Sequence, residues 1–142
     1  MAFPKLLENL YLTANGEGLL EENVSKLLAI YHDHPEFTNK EQLRTSLCFT
    51  VPIEASISER STLGSLIISG GLYVVGHFNI LVKEFSGAWD YMYGEWLLYS
   101  GYEPRASFPF EVYLNDSSID PEQKLLVDIY LPIQPLQFSS HK

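Results

Sequence analysis

The sequence predicts an α+β domain: an antiparallel sheet with two helices, built from a β-α-β-β unit that occurs twice, the first copy lacking its leading strand. Three observations predict it. Segments 3–14 and 80–99 place apolar residues at helical spacing. Shorter segments alternate, or run apolar, over strand lengths. Each helical segment is followed by two such strands joined by a link containing Asp and Pro. Elements in that order pack as helices on an antiparallel sheet.

The first helix is read from Phe3, Leu6, Leu7, Leu10 and Ala14, which share one face. Pro4 suits a first turn, where its missing N–H has no partner to lose, and Asn15-Gly16 offers a left-handed stop. A loop follows to about Ser25. Lys26–His32 reads as a buried strand, although Leu27–Ile30 also suits a short buried helix. Asp33-His34-Pro35 ends it. Arg44–Val51 alternates, with Leu47, Phe49 and Val51 on one side and Ser46, Cys48 and Thr50 on the other, and Pro52 closes it.

Residues 53–65 are polar and read as a linker. Leu66–Phe78 reads as a long strand, with Gly70-Gly71 marking a bulge or a close backbone approach. Ile80–Tyr99 is the second helix, capped by Asn79 and ended by Ser100-Gly101. Phe85, Trp89, Met92 and Trp96 form one stripe along it. Phe110–Leu114 and Leu125–Ile133 are the closing strands, joined by a link containing Asp120-Pro121. The final strand of each half ends at a proline, Pro52 and Pro132. The chain is thus expected to be one domain of residues 1–142: an incomplete first repeat (1–52), a linker (53–65), a second repeat (66–133) and a tail (134–142).

Composition narrows the function. The chain has 142 residues, 46% of them hydrophobic and 19% charged, which is globular rather than disordered. A net charge of −9 argues against direct nucleic-acid binding, which needs a basic footprint, and against an anionic membrane surface. One cysteine, Cys48, permits no intrachain disulfide and suits a reducing cytoplasm. Neither a signal peptide nor a membrane span is expected. Aromatic residues reach 13%, enough to ask what they line.

Several pieces carry a resemblance: Gly71-Leu-Tyr73-Val-Val, Trp89-Asp-Tyr-Met-Tyr-Gly-Glu-Trp96-Leu, Ser100-Gly-Tyr102-Glu, Phe110-Glu111-Val-Tyr113-Leu and Asp128-Ile-Tyr-Leu-Pro132. In that order the chain resembles the gyrase-inhibitor-like (GyrI-like), or effector-binding, family, whose domain also ends many AraC-type and multidrug-sensing regulators. Tyr31-His-Asp33-His-Pro35 and Leu43-Arg44 look like its first repeat. The resemblance implies a duplicated β-α-β-β fold enclosing a central cleft. It implies binding of lipophilic, often cationic, small molecules there by an acid, matched to Glu111, and by aromatics of both repeats. The family's first strand and its Gly-x-Tyr turn have no counterpart before Phe3. If the chain is not a trimmed piece, an unpaired sheet edge there invites a second chain, hence a possible homodimer.

The residues by themselves allow such a site. Glu111 and Tyr113 point to one face of their strand; Phe110, Val112 and Leu114 point to the other. Asp128 and Tyr130 share a face of the last strand. If these faces meet Trp89, Met92 and Trp96, a carboxylate is lined by rings. Burying it alone costs several kcal/mol and raises its pKa. An organic cation restores the balance, adding about 0.5–2 kcal/mol for each good cation–π contact. The expected ligand residues are Glu111, Trp96, Tyr113, Tyr130, Trp89 and Tyr73. The plainer alternatives stay open: Glu111 exposed on an edge strand, the tryptophans as core, and Tyr73 as core or surface.

Other chemistry is poorly served. His32 and His34 flank Asp33, but Pro35 follows and neither His77 nor His141 completes a recognisable zinc spacing, so no metal is expected. Cys48 reads as a small core residue. Gly70, Gly71 and Gly76 make no phosphate loop, no serine sits in a nucleophile elbow, and no cofactor is implied. The expected function is therefore a cytoplasmic sensor or sequestering module for a lipophilic cationic small molecule. The alternatives are a hydrolase of strained toxic molecules with Glu111 as general base, and a protein-interaction role such as gyrase protection. Neither helix suits a helix-turn-helix, so a regulatory role would place the DNA-binding domain on a partner or in another part of a longer protein.

Overall fold

Helix α1 (Pro4–Gly16) leads into strands β1 (Leu27–Tyr31) and β2 (Thr45–Phe49). Then come β3 (Tyr73–Ile80), helix α2 (Phe85–Tyr91), and strands β4 (Tyr102–Pro104), β5 (Phe110–Tyr113) and β6 (Leu125–Pro135). The structure is a computed structural model and describes residues 4–22, 24–33, 38–39, 41–115 and 121–136. Expectations placed on Phe3, His34, Pro35, Asp120, His141 and the tail beyond 136 lie outside those residues.

The strands form one open, six-stranded antiparallel sheet in the order β2-β1-β5-β6-β3, with β4 paired to the end of β6. The α+β class is as the sequence predicts, and Leu27–Tyr31 is strand, not helix. β1 and β5 meet at the centre, so the two halves of the chain join through the register Ala29↔Glu111. β3 covers the outer edge of β6, while no strand among the described residues covers the outer edge of β2.

Alternation divides the side chains between two faces. Leu28, Ile30, Phe110 and Val112 pack together on one, with Cys48, Tyr73 and Tyr130 against them. On the other, Ile129, Leu131 and Ile133 meet Ala88, Trp89 and Met92 of the α2 region. Gly76 sits under this contact: a Cβ there would lie 2.7 Å from Met92 Sδ and 2.6 Å from Phe78 Cε2. Hydrogen at this position lets the helical segment lie directly on β3.

Several boundaries differ from the sequence reading. The left-handed stop of α1 is Gly18 (φ +72), not Asn15-Gly16. The N–H groups of Gly18 and Leu19 donate to the carbonyls of Asn15 and Ala14, a Schellman end. The strand expected from Leu66 begins only at Tyr73. Gly71 does serve a close approach: its φ is +143, and the Arg105 guanidinium occupies the place of a Cβ at 2.7 Å. Asn79 is in β3 and caps nothing. Instead the Leu81 N–H donates to Glu84 Oε1 (2.7 Å), and a 3-10 turn, Val82–Glu84, leads into α2. Pro132 does not end β6, which continues to Pro135, and its carbonyl accepts from the Arg105 N–H. β4 has no counterpart in the sequence reading.

Candidate functional site

β5 carries Glu111 to the face beneath α2, where its side chain is 1% exposed. Three aromatic side chains donate to it. The Trp89 indole N–H reaches Oε2 at 2.6 Å. The hydroxyls of Tyr31 and Tyr113 reach Oε1 at 2.8 and 2.7 Å. The local reasons are simple. Tyr113 lies two residues along the same strand, so it shares the face. Tyr31 lies two residues beyond Ala29, the residue directly opposite Glu111. Trp89 projects from the buried side of α2.

A second layer of rings holds the donors. Tyr31 meets Trp89 edge-on, with centroids 5.3 Å apart. Tyr93 stacks on Trp89 at 6.0 Å, and Phe85 lies edge-on to Tyr113 at 6.3 Å.

None of these donors carries a positive charge. Burial pushes the Glu111 carboxyl above its ordinary pKa, and the three hydrogen bonds only partly offset it. Burial, then the nearby carboxylate, raises both tyrosine hydroxyls, so they remain protonated donors. The result is an acid with its hydrogen bonds made and its charge uncompensated.

The structure brings Glu111, Trp89 and Tyr113 together, leaves Trp96 on the same core cluster as Trp89 but stacked on Tyr102, and puts Tyr130 and Tyr73 on the other face. Trp96 lies in a π turn, Met92–Trp96, which closes i→i+5 rather than i→i+4. The regular row of the stripe breaks there, and Trp96 stacks on Tyr102 of β4 at 6.1 Å. Tyr130 and Tyr73 are on the opposite face of the sheet. Tyr130 stacks on Phe110 at 4.5 Å, and Tyr73 stands edge-on to Phe110 at 5.6 Å. Arg105 caps the Tyr73 ring at 4.9 Å. Asp128 is also on that face, paired with His77 at 2.7 Å. The alternation reading was correct for each strand, but only the face of Glu111 and Tyr113 meets the α2 stripe; that of Asp128 and Tyr130 is turned the other way.

Tyr31 is the donor that sequence reasoning missed. Its signal was present, a tyrosine closing an apolar strand, but its approach to Glu111 depends on β1 pairing with β5. Tyr31 also walls a hollow of about 400 Å³ with His32, Asp33, Phe108, Ser107 and the 66–69 segment. It is the one member of the Glu111 cluster in that wall. Asp33 there is held to about 2 by hydrogen bonds from Arg44, with Nε and Nη2 both at 3.0 Å.

Among the described residues no three His, Cys, Asp or Glu side chains gather as a metal site, and no helix is long and apolar enough to cross a membrane. Cys48 is half-buried and its thiol pKa is raised by burial.

Comparison with known proteins adds a family. The model described as the GyrI-like small molecule binding domain matches residues 1–134. A Dickeya dadantii (strain 3937) protein named DNA gyrase inhibitor 2 is 35% identical over 96 residues, 66% of this chain and 60% of that protein. Proteins named DNA gyrase inhibitor from Yersinia enterocolitica and Escherichia coli (strain K12) are 31% and 32% identical over 111 and 110 residues. Those matches cover 75% and 76% of this chain and 68% of each relative.

Proposed function

The chain belongs to the GyrI-like small-molecule-binding family, and from that premise we propose that it binds a lipophilic organic cation with Glu111 as counter-charge. The observation that carries this reading is the buried Glu111 carboxylate, 1% exposed and held only by neutral aromatic donors. A cation supplies what burial removed. It gains Coulomb attraction in a site of low dielectric, and the rings of Tyr31, Tyr113 and Trp89 add about 0.5–2 kcal/mol per good contact. The hollow walled by Tyr31 is the entry: rotation of that ring releases one hydrogen bond and opens Oε1 to the guest. The domain then acts as a sensor or sequestering module.

The test is thermal unfolding with tetraphenylphosphonium, and with neutral triphenylphosphine oxide as control, on wild type and Glu111→Gln. At 100 times its Kd, the cation adds about 2.7 kcal/mol of stability to the wild type. Equal stabilisation of both proteins removes Glu111 as the counter-charge. No stabilisation of the wild type removes the reading.

The names of the relatives favour a second reading, in which this chain acts on gyrase itself. It predicts inhibition or protection in a DNA supercoiling assay that Glu111→Gln leaves unchanged.

A further inference from the structure

We infer a second ligand site, on the sheet face opposite Glu111, that takes an uncharged amphiphile: an aliphatic chain with one hydroxyl or amide head. A hollow of about 560 Å³ lies there, between Leu10, Ala14 and Leu19 of the α1 region, Leu28 and Ile30 of β1, and the segment that includes Ile57, Leu63 and Leu66. Its volume is that of a small-molecule pocket, and its wall has the composition of one: mostly apolar, with a few convergent polar groups. One polar pair stands out in the wall. His32 Nε2 and Ser46 Oγ are 2.6 Å apart, and the His32 ring is fixed edge-on against Phe108 at 5.0 Å. An imidazole and a hydroxyl in contact can both accept from and donate to a guest's head group.

The charge of the wall selects the guest. Among the described residues, no Asp, Glu, Lys or Arg lines this hollow. A charged head would leave water without a counter-ion, which is costly, whereas a hydroxyl or amide loses little if His32 and Ser46 bond it. This is the reverse of the Glu111 cluster, so the two sites select different chemistry. The inference does not depend on the proposed cation site. Leu28, Ile30 and Cys48 pack on the Phe110 face, and Glu111 points to the other.

Cys48 is in the wall and reports occupancy directly. The experiment measures the rate of Cys48 alkylation and the unfolding temperature with octan-1-ol, octanoate and octylammonium. The proteins are wild type, Glu111→Gln, Ser46→Ala and Leu63→Trp. Octan-1-ol is expected to slow alkylation and raise the unfolding temperature equally in wild type and Glu111→Gln. The two charged probes are expected to need at least about tenfold more ligand, a difference of about 1.4 kcal/mol. Ser46→Ala weakens octan-1-ol about fivefold, the value of one hydrogen bond. Leu63→Trp fills the hollow and abolishes protection; if it fails to fold, the Ser46→Ala result decides. The inference is overturned if octan-1-ol gives no protection up to its solubility limit, if octylammonium matches it, or if Glu111→Gln removes the effect.

Discussion

Trp89 and Glu111 are joined by a 2.6 Å hydrogen bond that crosses from α2 to the middle of the sheet. It is the only one of the three bonds to Glu111 that comes from a helix; the other two come from strands β1 and β5. The carboxylate is therefore fixed by three separate parts of the chain, and its charge is linked to the stability of their packing.

That linkage has a sign. Folding raises the Glu111 pKa above its ordinary 4.5, so the native state holds its proton more tightly than the unfolded state. Its favourable contribution is fully present below pH 4.5 and is lost as pH rises through the raised native value. Denaturant unfolding at stepped pH checks this. Relative to Glu111→Gln, the wild type is expected to lose about 1.4 kcal/mol per pH unit within that window and none below it. A flat difference across the range would contradict the burial of an uncompensated charge.

Tyr31→Phe removes one donor from the charged form. The Glu111 pKa is expected to rise further, extending the window to higher pH. Above the window the variant is destabilised by about 1.5–3 kcal/mol, the range for a hydrogen bond to a charged group. Below it, where the carboxyl is neutral, the cost is smaller. A cost independent of pH would mean that Tyr31 acts only through packing.

Gly76→Ala places a methyl between Phe78 and Met92, at 2.6 and 2.7 Å. Met92 is 1% exposed and cannot retreat into solvent. The expected cost is about 1–3 kcal/mol, as for other overpacked cores. Calorimetry measures it. A neutral result would mean that the helical segment lifts freely from β3.

Arg44→Gln is expected to raise the Asp33 carboxyl from about 2 toward its ordinary 3.8, the backbone N–H of residue 44 still holding it partly down. The Asp33 contribution to stability is present above pH 3.8 and is lost as pH falls through about 2 in the wild type. The variant keeps only the part that the backbone hydrogen bond supplies. Carboxyl-carbon NMR titration of Asp33 reads the shift directly, and an unchanged value would exclude the Arg44 side chain as its cause.

The sequence by itself determined the class and which residues share a face with Glu111, and left the burial of that acid open. Strand alternation placed Glu111 and Tyr113 on one face, and helical spacing placed Trp89 and Met92 on another, because those periods follow from backbone geometry alone. It also marked Gly71 as a place of close approach. The tertiary structure decided which faces meet. Pairing of β1 with β5 brings Tyr31 to Glu111 from 80 residues away, and the same sheet sends Tyr130 and Tyr73 to the far side. The π turn and the unforeseen β4 take Trp96 to Tyr102. The physical reason is range: a residue's face is set by its neighbours in the chain, whereas the face opposite it is set by strands that pair only when the whole sheet forms.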